Sequence, residues 1–122
     1  MWERWNSLKD EGSFWSADMN SINHYAYGTV FDWIFGVSIG IKTISEAPGY
    51  KEIKLTPHPH KSLGFATASI DTKHGCIRVH WYYKNDIVYY EFNIPDGVTA
   101  HLTLPLGYTE TLTSGDYFLQ NR

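Results

Sequence analysis

The chain has little of several things. One cysteine, Cys76, occurs in 122 residues, which excludes an intrachain disulfide framework and a multi-cysteine zinc site. No apolar run reaches the length of about 18 residues that a membrane-spanning helix needs, so no membrane partner is expected. The start, Met1-Trp2-Glu3-Arg4-Trp5, has no apolar stretch, from which no secretory signal is expected, and the residues name no compartment. Positive charge is scarce: 10 Lys and Arg against 13 Asp and Glu give a net charge of −3 with His neutral. Phosphate neutralisation needs clustered cations, so no nucleic-acid partner is expected either. There is no phosphate-cradling glycine loop and no Ser-His-Asp order. What remains is 43% hydrophobic and 19% charged, the balance of a globular chain of one-domain length. Aromatics reach 16%, with five Trp, nine Tyr and six Phe. Rings stack on sugars and bases but equally fill β-sandwich cores.

Residues 1–48 and 49–122 differ in pattern. The stretch to about residue 20 mixes Gly, Ser, Asp and Asn with Trp and Phe and reads as a loop holding rings. Beyond it, Ile22, Ala26, Val30, Trp33, Ile34 and Val37 recur at helical spacing. Asn20 or Ser21 can cap the start and Gly40 falls near the end, predicting one long helix to about residue 39. Phe31, Trp33, Ile34 and Phe35 leave it almost no polar face, so it demands burial on several sides. Ala47-Pro48-Gly49-Tyr50 is a turn signal and the expected domain boundary. Strand-like alternation follows over residues 51–55, 65–72, 76–83, 87–94, 100–104, 110–112 and 117–119. Turns intervene at Lys73-His74-Gly75, Lys84-Asn85-Asp86, Pro95-Asp96-Gly97 and Ser114-Gly115-Asp116. About seven strands at roughly 8–12-residue spacing predict an antiparallel β-sandwich. The expected fold class is mostly β: that sandwich, preceded by one long helix and an irregular leader.

An ordered set of segments points further: Trp2-Glu3-Arg4-Trp5, Ser21-Ile22-Asn23-His24-Tyr25-Ala26-Tyr27-Gly28, Ala47-Pro48-Gly49-Tyr50-Lys51, Pro57-His58-Pro59, the hairpin onto Trp81, Ile94-Pro95 and Ser114-Gly115. Together they resemble the C-terminal end of the inverting α-L-rhamnosidases, glycoside hydrolase family 78. The family's catalytic domain is an (α/α)6 barrel followed by a β-sandwich. The resemblance therefore implies that residues 1–48 are a C-terminal remnant of the barrel and 49–122 the sandwich domain. Twelve helices of about 12 residues already need roughly 150 residues before loops. A chain with one helix cannot hold the barrel and reads as the last part of a larger enzyme.

The same resemblance implies roles. Glu3 matches the general base, which activates water for attack at the anomeric carbon, and Trp5 suits a ring-walled sugar pocket. His24 is implied to touch a sugar hydroxyl and Asn23 to help position one. From the residues alone, Glu3 is equally a solvated side chain near a terminus, His24 a satisfied core histidine and Asn23 a cap. The general acid lies far upstream in the family, and Asp10, Glu11 and Asp18 do not match its segment. One carboxyl cannot both protonate the leaving group and activate water, so this polypeptide alone is expected not to hydrolyse rhamnosides. His58 and His60 lack a third ligand for a metal, and Cys76 reads as a small spectator. No cofactor is expected. In the aromatic hairpin, alternation divides the rings between two faces; Trp81, Tyr83 and Tyr89 read as cross-strand core pairs, whereas an exposed flat row would form a carbohydrate platform. The expected partner is a rhamnose-containing glycoside, bound by the full-length enzyme. The alternative is a free-standing carbohydrate-binding sandwich without catalysis. The apolar surface around residues 31–37 predicts self-association of the chain.

Overall fold

The computed structural model describes residues 5–18 and 22–120. It divides into two compact units, one ending at Asp32 and one beginning at Trp33. Glu3 and the expected caps Asn20 and Ser21 lie outside the described residues.

The first unit is built from turns. Gly12 takes φ +82°, a conformation glycine adopts without a Cβ penalty. The chain can then fold back, with Lys9 N–H donating to Ser13 O and Gly12 N–H to Lys9 O, both at 2.8 Å. Leu8 consequently bridges Phe14. The long helix expected from apolar spacing is instead three short pieces: a 3-10 turn (Tyr25–Tyr27), α1 (Thr29–Trp33) and a π-helical turn (Ile34–Ile39). The reason lies in which residues fill the segment, at the apolar positions as well as between them. Gly28 sits at the first junction, and a glycine inside a helix costs about 1 kcal/mol. Thr29, Val30, Ile34, Val37 and Ile39 are β-branched and stiff at χ1. Short helices rely on packing, yet α1 buries none of its residues.

The π-helical turn ends the helical segment at a specific place. Gly40 is left-handed (φ 82°, ψ 21°), and its N–H donates to Phe35 O, five residues back, at 3.0 Å. Ser38 and Ile39 are thereby buried. The Ser38 carbonyl accepts from Trp81 Nε1 at 2.8 Å and from His58 N–H at 3.2 Å. Thr56 N–H donates to Gly40 O at 2.8 Å.

Eight strands make two four-stranded sheets. The first has the order β1 (Ile41–Thr43), β2 (Glu52–Leu55), β6 (Thr99–Thr103), β7 (Thr109–Leu112). The second has the order β3 (Phe65–Thr72), β4 (Gly75–Lys84), β5 (Ile87–Ile94), β8 (Gly115–Gln120). The turn at Ala47-Pro48-Gly49-Tyr50 falls between β1 and β2. All neighbours are antiparallel except β2 and β6, which run parallel with Ile53 opposite Ala100 and Leu55 opposite Leu102. The expected antiparallel sandwich is present, with this one parallel pairing inside it. A parallel neighbour needs a long crossover, and here the crossover contains β3, β4 and β5. Alternation is regular: Ile77, Val79 and Trp81 of β4 and Val88, Tyr90, Phe92 and Ile94 of β5 point inward. They meet Ile53 and Leu55 of β2, Ala100 and Leu102 of β6, and Leu112 of β7 in one core. Ile39 and Ile41, ahead of the Pro48 turn, belong to the same core.

Candidate functional site

Of the residues expected to act on sugar, Trp5, Asn23 and His24 are described. Trp5 is 97% exposed. Asn23 is exposed and His24 half-buried, side by side at the start of the 3-10 turn. His24 is the N-cap: its Nδ1 accepts from Ala26 N–H at 3.3 Å, and its ring stacks on Tyr25 at 5.4 Å. An accepting Nδ1 in a neutral imidazole leaves the proton on Nε2. The cap role that the residue pattern offered for Asn23 is thus taken by His24.

Of the histidine pair further along, His60 is engaged locally. His60 Nδ1 meets Ser62 Oγ at 2.6 Å and accepts Ser62 N–H at 3.3 Å. Among the described residues no group of three or more His, Cys, Asp or Glu side chains could hold a metal ion. Burial pushes the Cys76 thiol up, with a hydrogen bond to Asp71 acting in the same direction; a thiol held protonated is a poor nucleophile.

The aromatic hairpin divides its rings as alternation requires. Trp81 is fully buried opposite Tyr90, and Tyr83 packs edge-on against Trp81 at 6.4 Å. Tyr89, expected in the core, lies on the other face, because the register sets it opposite Tyr82. The outer face of the second sheet consequently carries a ring row. Tyr82 and Tyr89 stack at 5.3 Å and 16°, and Tyr89 meets Phe118 at 5.7 Å and 31°. Two polar rows adjoin it. His80, Glu91 and Phe118 are aligned across β4, β5 and β8, as are Arg78, Asn93 and Asp116. His80 Nδ1 and Glu91 Oε2 are 3.4 Å apart, and Asn93 Nδ2 donates to Asp116 Oδ1 at 2.7 Å. Residue-by-residue reading missed this cluster. The turn at Asn85-Asp86 would have aligned 78 with 93 and 80 with 91, but nothing local announces that β8 joins their edge.

Among known families, the sequence model of the bacterial alpha-L-rhamnosidase C-terminal domain matches residues 40–118. The chain belongs to that family. The match opens at the left-handed Gly40 and takes in β1 through most of β8. Relatives of this rhamnosidase C-terminal domain include an alpha-L-rhamnosidase from Alteromonas sp., 38% identical over 88% of the chain and 12% of that protein. Another, from Formosa agariphila, is 36% identical over 92% of the chain and 12% of that protein. The crystal structure of the Streptomyces avermitilis alpha-L-rhamnosidase complexed with L-rhamnose superposes with a TM-score of 0.78 at 26% identity, covering 100% of this chain and 14% of that one. The chain thus spans about one-eighth of the length of these relatives.

Proposed function

We propose that the chain is the C-terminal part of an enzyme that removes terminal α-L-rhamnose with inversion. The reading is carried by the family match over residues 40–118. In this reading Glu3 is the general base. Its carboxylate takes a proton from a water that attacks the anomeric carbon, while a carboxylic acid elsewhere in the enzyme protonates the departing glycosidic oxygen. The two carboxyls of such a pair stand about 6.5–9.5 Å apart to admit the water. Trp5 walls the sugar pocket, His24 meets a hydroxyl, and Asn23 helps orient it. The exposure of Trp5 and Asn23 supports a surface that the remainder of an enzyme completes. Residues from 49 onward form a buttress rather than part of the reacting site. Without the acid, the 122-residue chain alone is inactive.

The test is a graft. The chain replaces the matching segment of the Formosa agariphila alpha-L-rhamnosidase, and release from a chromogenic rhamnoside is followed. The graft is expected to cleave with inversion of the anomeric centre, the chain alone to release nothing, and Glu3→Gln to lower kcat by about 10²–10⁴-fold. An active isolated chain, or an unaffected Glu3→Gln graft, refutes the assignment.

A further inference from the structure

The outer face of β3, β4, β5 and β8 combines, in one cleft, the groups a sugar needs. Phe118 is 59% exposed, and its ring is steadied by Tyr89, itself stacked on Tyr82. Beside it opens a cleft of about 290 Å³ lined by Arg78, Glu91, Asn93, Asp116 and Phe118, with Phe92 and Tyr117 backing it. Arg78 makes no hydrogen bond or salt bridge with any described residue, leaving its guanidinium donors to the cleft. Acceptors share the lining with it: the Glu91 and Asp116 carboxylates and the Asn93 amide, the last two joined at 2.7 Å, while Glu91 Oε2 also lies 3.4 Å from His80 Nδ1. All stand on paired strands, so a ligand has to order side chains but no backbone.

We propose that this cleft is a non-catalytic binding site for a neutral pyranose. The C–H face of such a sugar packs on Phe118, and its hydroxyls exchange hydrogen bonds with Arg78, Asn93 and Asp116. The charges select the class. One guanidinium against the two carboxylates of Glu91 and Asp116 leaves the lining net negative, which disfavours phosphates, uronates and nucleic acid. A second protein copy would bury a larger apolar core with fewer charged groups. The site uses none of the residues assigned to catalysis, and it stands or falls independently of them.

The experiment is amide chemical-shift mapping by NMR on the 122-residue chain, with L-rhamnose, D-glucose and D-galacturonate as probes. At least one neutral sugar is expected to give saturable shifts at Arg78, Asn93, Asp116 and Phe118, with galacturonate weaker. Phe118→Ala and Arg78→Ala are each expected to weaken binding roughly five- to tenfold while strand dispersion persists. Should Phe118→Ala lose that dispersion, Arg78→Ala decides. The proposal is overturned by no saturable response up to tens of millimolar neutral sugar, by shifts that survive both substitutions, or by tighter binding of galacturonate. Shifts at these amides that grow with protein concentration alone assign the face to a second copy and overturn it as well.

Discussion

Gly40 carries two obligations at once. Its φ is +82°, and a Cβ built there would lie 2.2 Å from the Thr56 carbonyl carbon and 2.4 Å from Pro57 N, backbone atoms that cannot step aside. Gly40→Ala is therefore expected to destabilise the chain by more than about 3 kcal/mol, read as a fall in the urea midpoint. Gly36 has nothing within 4 Å of its missing Cβ, and Gly36→Ala is expected to change stability by less than about 1 kcal/mol. Tyr90 sets a pH limit. Burial pushes its phenol from 10.0 up to about 12. Between those values the unfolded chain has given up the proton while the folded chain keeps it. Stability present below pH 10 is lost as pH rises toward 12, by about 2–3 kcal/mol. Tyr90→Phe keeps a ring stacked on Phe92, a contact made at 6.2 Å and 13°. It is expected to remove that part of the alkaline loss when urea melts at about pH 9 and about pH 11.5 are compared. A glycine at residue 40 is plain in the sequence. Its steric necessity is not, because Thr56 and Pro57 reach it only through tertiary structure.

Elements differ in how far local chemistry determines them. The paired strands of the second sheet follow directly from alternation, and the β4–β5 connection from Asn85-Asp86. Both residues adopt positive φ, +50° and +64°, as a two-residue mirror-image turn requires. Asp86 also pairs with Lys61 at 2.8 Å, and that hydrogen bond and charge hold its carboxyl below the usual range. Both partners are exposed, so the pair contributes little. Asp86→Gly relieves the strained conformation and is expected to raise stability by about 0.5–1 kcal/mol in thermal melts. A lower melting temperature would show that the Lys61 pair outweighs the backbone. Two elements were not legible. β1 is three residues, Ile41–Thr43, too short for alternation to announce. The helical segment has the right apolar spacing, but spacing does not reveal that Gly28 and a series of β-branched residues divide it.

At the scale of the whole molecule, among the described residues Val30 and Phe31 of the first unit are exposed by 52% and 65%, and Trp33 and Ile34 of the second by 54% and 38%. We expect the isolated chain to self-associate through them, so that sedimentation shows a mass rising with concentration. Phe31→Glu with Trp33→Glu is expected to restore the monomer without lowering the melting temperature. A wild-type monomer at high concentration would refute this. The sandwich as a class was readable from strand count and turns, whereas the residues proposed to act on sugar come only from the family resemblance. The cleft beside Phe118 was not readable at all, since its groups come from three strands aligned by register. The parallel β2–β6 pair has one more effect, on the order of events. Ile53 and Leu55 leave the ribosome well before Ala100 and Leu102, their neighbours across that ladder. The β3–β5 meander can zip locally and early. The other half of the core must wait until the late arrival of β6 closes a long loop, a slow step by loop-closure entropy, and until then a sticky edge stays open to misassembly.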